Sequence, residues 1–284
     1  MFRLIRFLAT LLVFFGLGLA FTDQPAAWVL GSLATGLLGI VAASLGEDVA
    51  TYRRVTAAVE AHARRSGLSY NAAQALARFA RPKALAMLAF LVVLGMAGLS
   101  LLFAESPTFV IAMWSVLVAG AFAGVAVWAV RRFASEKAAW EALAACLGLT
   151  YAFDPTTYVP TMTGTFRGRE VFAGIQRRRW RRGYRCFGPR DTDTTCITIA
   201  ADVPSLPAMT IVRGQKRLPP SLAAALETRP DLLTRLKAAL PYLWLTSDDT
   251  ALKLQWTGVV QDCATLHFLL TLACDLAAFL ESRH

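Results

Sequence analysis

The sequence predicts a two-part protein: a membrane α-helical bundle of four transmembrane helices in two hairpins, then a cytoplasmic α+β domain with an antiparallel sheet. Three features lead there. The chain of 284 residues is 56% hydrophobic with a mean hydropathy of +0.49, too apolar for an ordinary soluble domain. Its apolar residues concentrate before residue 131, in four stretches without an ionisable side chain. From about residue 133 the pattern changes to short alternating segments punctuated by turns, the mark of half-buried strands.

The four stretches are Phe7–Phe21, Ala26–Leu45, Ala84–Phe103 and Phe109–Val130. The last three hold 20, 20 and 22 residues, enough to cross ~30 Å of hydrocarbon at ~1.5 Å per residue. The first reaches that length once Leu4 and Ile5 are counted and Arg6 snorkels to the interface. Spans are therefore expected over 4–21, 26–45, 84–103 and 109–130, with a cytoplasmic loop over 46–83. Gly18-Leu-Ala20 resembles a signal-peptide cleavage site, but cutting there leaves about five residues before the next span, so an uncleaved first helix is favoured. Arg3, Arg6, Arg53, Arg54, Arg64, Arg65, Arg78, Arg81, Lys83, Arg131 and Arg132 all fall on one side, whereas the tips 22–25 and 104–108 carry no Lys or Arg. The positive-inside rule then puts both termini in the cytoplasm of an inner-membrane, multi-pass protein.

The hairpins share a pattern. Gly16-Leu-Gly-Leu-Ala-Phe-Thr-Asp-Gln-Pro25 returns as Gly98-Leu-Ser-Leu-Leu-Phe-Ala-Glu-Ser-Pro107, and Gly67-Leu-Ser-Tyr70 returns as Gly148-Leu-Thr-Tyr151. A parallel repeat of hairpin plus cytoplasmic helix fits both; chance convergence among Gly- and Leu-rich helices is the plainer alternative. Gly67 and Gly148 each suit a helix C-cap. The stretch Asn71–Arg81 reads as a basic amphipathic helix lying along the membrane surface, ended by Pro82.

The domain 133–284 opens with a helix over Ala134–Leu147. Met162–Phe166 and Val171–Gln176 flank the turn Arg167-Gly168, Thr194–Ala201 alternates, and Met209–Arg213 suits a further strand. Pro219-Pro220 opens a helical region to Leu240; Tyr242–Thr246 and Ala251–Trp256 flank a second turn. The last helix, Val260–Glu281, is apolar enough to span. His267 and Asp275 lie well inside it, and a central Asp costs ~3 kcal/mol in a bilayer, so it is read as a core helix on the sheet.

Charge is segregated in this domain. Residues 167–190 hold nine arginines against Glu170, a net +8, whereas 133–284 as a whole has 18 basic and 14 acidic residues, so the remainder is −4. Arg177, Arg178, Arg179, Trp180, Arg181, Arg182, Tyr184 and Arg185 form the candidate anionic-partner site, matched to lipid headgroups or an acidic protein. Nucleic acid fits less well, and the bland reading is a solvated basic loop. Gly120-Ala-Phe-Ala-Gly124 is a small-residue pattern for close helix packing, within the bundle or in a homo-oligomer.

Several chemistries find little support. Asp191 and Asp193 could hold a divalent ion with a nucleotide, but turn-forming Asp before a strand is the commoner reason for the pattern, as at Asp248-Asp249. Cys263, His267 and Cys274 share a stripe of one helix, yet a straight helix does not bring ligands three turns apart to one zinc. All five cysteines sit on the expected cytoplasmic side and are expected reduced. Phosphate loops, hydrolase triads and zinc-protease motifs are missing, so no cofactor or metal is expected. Arginine outnumbers lysine 24 to 5, a composition suggesting a GC-rich bacterial genome. The resulting expectation is a polytopic membrane protein with a non-enzymatic interaction or regulatory domain; the alternative is an oligomeric effector or pore with a ligand-sensing domain.

Overall fold

A computed structural model describes residues 5, 8–14, 26–80, 85, 89, 92–93, 96, 107–157, 159–176, 193–201, 218–248 and 250–282. The chain forms two compact units, one from Met1–Thr56 and Asn71–Trp128, the other from Ala57–Tyr70 and Ala129–His284.

The four-helix transmembrane bundle is not supported. Among the described residues one helix, Cys263–Glu281, is long and apolar enough to cross a membrane, and most of it is buried inside the protein. The stretch 26–45 belongs to a 40-residue helix, α1 (Ala26–Arg65), which continues through the residues expected as a separate cytoplasmic helix. The stretch 109–130 is likewise the first part of the 41-residue helix α2 (Pro107–Leu147). At ~1.5 Å per residue each is ~60 Å long, about twice a hydrocarbon core. No Pro stands at residues 46–50 or 131–135 to end either helix; Gly46 alone weakens α1 by ~1 kcal/mol, and the Ala, Glu and Arg around these junctions favour continuation. Both stop where the sequence supplies a cap. Gly67 and Gly148 each adopt φ +67°, a left-handed conformation that glycine takes without steric cost. Leu68 N–H then donates to Ala63 O and Leu149 N–H to Ala144 O, both at 2.9 Å, the hydrogen bond that closes a Schellman cap. The hairpin tips 22–25 and 104–106 and most of the stretch 84–103 lie outside the described residues.

In the first unit, helical residues 8–14 approach α1 at two glycines. A Cβ on Gly36 would stand 2.7 Å from Ala9 O and Val13 Cγ2, and one on Gly39 2.7 Å from Ala9 Cβ. Residues 72–80 are helical, and Asn71 Oδ1 caps their start by accepting from Gln74 N–H at 3.0 Å. Phe79 from this stretch stacks on Tyr52 of α1 with ring centroids 4.2 Å apart.

The second unit is built on a six-stranded, fully antiparallel sheet ordered β1 (Thr150–Asp154), β2 (Val159–Phe166), β3 (Arg169–Gln176), β4 (Thr194–Ala200), β6 (Ala251–Thr257), β5 (Leu243–Asp248). Strand β1 follows directly on the Gly148 cap; half-buried Tyr151 and Phe153 alternate with exposed Thr150, Ala152 and Asp154, over only five residues. The helical region before β5 divides into α3 (Pro220–Leu226) and α4 (Pro230–Ala239), because Pro230 bars Arg229 from the helical region and starts a new helix. The expected strand Met209–Arg213 lies outside the described residues.

One sheet face is apolar. Met162, Ala173, Ile197, Leu254 and Leu245 stand in register across five strands, each 1% exposed or less. Helix α5 (Cys263–Glu281) packs with β4, β6 and α4 and buries residues on every side, including Leu266, Phe268, Leu269, Leu272, Leu276 and Phe279. A helix apolar all round belongs either in a bilayer or in a core, and this one is in a core. Asp262 caps its start, accepting from Thr265 N–H at 2.7 Å.

The close approach at Gly39 predicts an asymmetry. Gly39→Val is expected to destabilise the detergent-solubilised full chain by ~1–3 kcal/mol through overpacking against Ala9. Gly120→Val, at a position with no described atom within 4 Å of the new Cβ, is expected to change it by less than ~0.5 kcal/mol. Thermal unfolding of both variants reads the difference.

Candidate functional site

The second unit carries a continuous ladder of charge. Arg65 near the end of α1 reaches Asp231 of α4 at 3.4 Å, and Asp231 accepts from Arg235 one turn on at 3.0 Å. Arg235 donates to Asp275 of α5 at 2.8 Å, and Asp275 also accepts from Arg167 of the β2–β3 turn at 3.1 Å. Three cations and two anions thereby join four separate elements. Arg235 and Asp275 are the buried rungs, with side chains 11% and 22% exposed. A half-buried aspartate on an apolar helix needs such partners, since an unpaired charge there would cost several kcal/mol. Arg167 meets Asp275 from a strained position. It stands at φ +52° and Gly168 at φ +77°, the two positive angles of a type I′ hairpin turn. A non-glycine residue there gives up ~1 kcal/mol.

Beside the ladder two histidines face each other. His62 Nε2 and His267 Nδ1 lie 2.9 Å apart, and His62 is 5% exposed. Phe268 meets the His62 ring edge-on, and Phe166 meets the His267 ring likewise. A hydrogen bond between two imidazoles needs a lone pair on one of them, so it cannot form when both are doubly protonated. Burial lowers the His62 pKa to about 4, helped by His267 and the guanidinium groups of Arg235, Arg65 and Arg167. Burial, then Arg167, lowers that of His267. Both rings are therefore neutral at pH 7. Burial also raises the Cys274 thiol, whose sulfur points to Phe166 O at 3.8 Å and is kept protonated.

The other sheet face is polar and open. Thr163, Phe172, Thr198, Lys253 and Thr246 form one cross-strand row and Thr161, Gly174, Cys196, Gln255 and Trp244 the next. Cys196 Sγ and Gln255 Nε2 both donate to Gln176 Oε1 at 3.4 Å. A shallow groove of about 500 Å³ runs here between Thr163, Glu170, Phe172 and Thr198. Phe172, 43% exposed, is the one large apolar side chain that the described part of this unit leaves exposed.

The residues singled out from sequence are placed unevenly. Arg177, Arg178, Arg179, Trp180, Arg181, Arg182, Tyr184 and Arg185 lie outside the described residues, as does Asp191. The ends of that stretch are fixed, however. Gln176 and Thr194 are register partners in β3 and β4, so the arginine-rich segment is the connection between two neighbouring strands. Asp193 accepts from Gly258 N–H through its backbone carbonyl at 2.9 Å, tying the start of β4 to the end of β6. Gly120 and Gly124 are exposed on α2 with no described atom within 4 Å of an added Cβ. Cys263, His267 and Cys274 go separate ways: to Cys146, to His62 and to the Phe166 carbonyl. Among the described residues no three His, Cys, Asp or Glu side chains converge as metal ligands.

The expectation that all cysteines are reduced is overturned for two of them, since Cys146 and Cys263 form a disulfide across 117 positions. Sequence reasoning also missed His62, Arg235 and Asp231. Their one signal was Asp275, a charge inside an apolar helix that demanded partners without naming them. Comparison with family models, with characterised proteins and with solved structures finds no match to this chain.

The neutral histidine pair predicts how stability depends on pH. His62 holds its proton less well in the folded protein, at about 4, than in the unfolded chain, at 6.5. The unfolded state thus binds more protons between these values, and stability present above about pH 6.5 is lost as pH falls toward about 4. Urea unfolding of the full chain should show this decline, and His62→Gln should make it shallower.

Proposed function

We propose that this chain is a membrane-associated, non-enzymatic interaction protein whose α+β unit presents the arginine-rich β3–β4 connection to an anionic membrane surface. The supporting observation is where the exposed apolar side chains lie. Leu8, Leu11, Phe14, Leu85, Val92, Val93, Ile111, Val116, Val118 and Val127 are all exposed and all belong to the first unit. Val116 is 74% exposed and Phe14 66%. Soluble proteins rarely leave so many large apolar side chains in water, whereas lipid covers them without cost. Among the described residues of the second unit, the large apolar side chains are buried or half-buried, with Phe172 as the exception.

Charge supplies the second argument. Gln176 of β3 pairs with Thr194 of β4, so the run Arg177–Arg185 belongs to the chain between two neighbouring strands and not to a terminal tail. Each basic residue near an anionic leaflet contributes ~1 kcal/mol, and a chain already at the membrane loses little further entropy in docking it. An acidic protein would meet the same residues by the same chemistry.

Trypsin, which cuts after arginine, tests both parts of the reading. The full chain, reconstituted into vesicles of neutral lipid or of neutral lipid with one third anionic lipid, is digested at low and high salt. Cleavage within 177–190 is expected to slow at least fivefold on anionic vesicles at low salt and to recover at high salt. Equal rates on both lipids would contradict the headgroup contact. Release of the chain from vesicles by alkaline carbonate would contradict membrane association itself.

A further inference from the structure

We propose that Cys146 is a thiol–disulfide exchange site, at which a dithiol reductant opens the Cys146–Cys263 bridge while the α+β unit keeps its fold. The bridge joins the last turn of α2 to the first residue of α5. Its two sulfurs are not equivalent. Cys146 is exposed and Cys263 half-buried, so an incoming thiolate reaches the Cys146 sulfur from the solvent side. Exchange needs attack along the S–S axis, with the other sulfur leaving as a thiolate. Helix ends favour the same direction. A thiolate at Cys263 stands in the first turn of α5, where the unpaired N–H groups and the dipole favour negative charge; at Cys146 it would stand in the last turn of α2, where they oppose it. The neighbouring Asp262 carboxylate is engaged by the Thr265 N–H.

The balance is that of a two-electron exchange. A thiolate of the reductant attacks Cys146 Sγ, the Cys146–Cys263 bond breaks, and Cys263 leaves with the electron pair. The reductant's second thiolate attacks its own sulfur in the mixed disulfide and releases Cys146 as a thiolate. The dithiol becomes a disulfide, and both protein thiolates take up protons from water according to pH.

Both ends remain held without the bridge. Trp140, Leu143 and Ala144 of α2 are buried at 3% exposure or less. Before α5, Val260 N–H donates to Thr195 Oγ1 at 3.0 Å, and Thr195 Oγ1 donates to Gly258 O at 3.0 Å. Reduction therefore removes a tie across 117 residues and leaves the packing on either side of it.

The test uses the full chain in detergent. A brief pulse of glutathione, a monothiol that leaves the mixed disulfide in place, is followed by alkylation and peptide mass mapping. Glutathione is expected on Cys146 and the alkyl group on Cys263. Glutathione mainly on Cys263, or alkylation of both without any reductant, would overturn the proposal. Dithiothreitol should then lower the unfolding midpoint by roughly 5–15 °C with an unchanged far-ultraviolet spectrum. Loss of helical signal on reduction would overturn the claim that the fold survives. The double variant Cys146→Ser, Cys263→Ser should unfold at the midpoint of the reduced protein, and failure of that variant to fold would count against the proposal equally.

Discussion

The burial of α5 is the constraint on which the second unit depends. Its nineteen residues, Cys263–Glu281, are apolar almost without interruption, and fourteen of them are buried. Each buried Leu or Phe contributes ~1.5–3 kcal/mol relative to exposure, so this helix is the largest apolar investment in the unit. The sheet supplies one wall, through the row from Met162 to Leu245, and α4 supplies another. The polar contacts radiate from the same helix: Cys263 to α2, His267 to α1, Asp275 to Arg235 and Arg167, and Glu281 to Arg169.

These contacts explain why an apolar helix tolerates a charge. Asp275 would be costly in lipid, and inside the protein it is matched by two guanidinium groups that α4 and the β2–β3 turn hold in place. Burial, helped by Arg235 and Arg167 at His62 and by Arg167 at His267, lowers the pKa values of the nearby histidines. A packing decision thus sets an electrostatic one: because α5 is in the core, its polar residues must find partners from the elements around it. Those partners lie far apart in the chain, so they also fix where α1's end and the turn at Arg167 belong.

Legibility in the sequence followed the range of the interaction. The hairpin at Arg167-Gly168, strand β4 and the hairpin joining β5 to β6 were readable because alternation and turn residues are local signals. The core placement of α5 was readable from His267 and Asp275, polar residues well inside an apolar run. The glycine caps at Gly67 and Gly148 were readable as well, since each follows a long helical run. The four-span bundle failed for a related reason. A window of twenty apolar residues says where a helix is greasy and not where it ends: α1 runs on through Gly46 and Asp48, and α2 through Arg131, with no proline at either point. Strand β1, five residues with only Tyr151 and Phe153 as large apolar side chains, was missed. The candidate site was largely invisible, because His62 meets His267 across 205 positions and Cys146 meets Cys263 across 117, and one sequence holds no signal for such pairing.

Hydrogen exchange on the full chain in lipid, followed through a urea series, tests the core assignment of α5 most directly. A core helix exchanges through the same unfolding event as the strands it covers. The amides of Leu266–Leu276 are therefore expected to lose protection together with those of β4 and β6, at the same urea concentration. Protection of α5 that persists after β4 and β6 have exchanged would mean that the helix is shielded by lipid and would contradict the account.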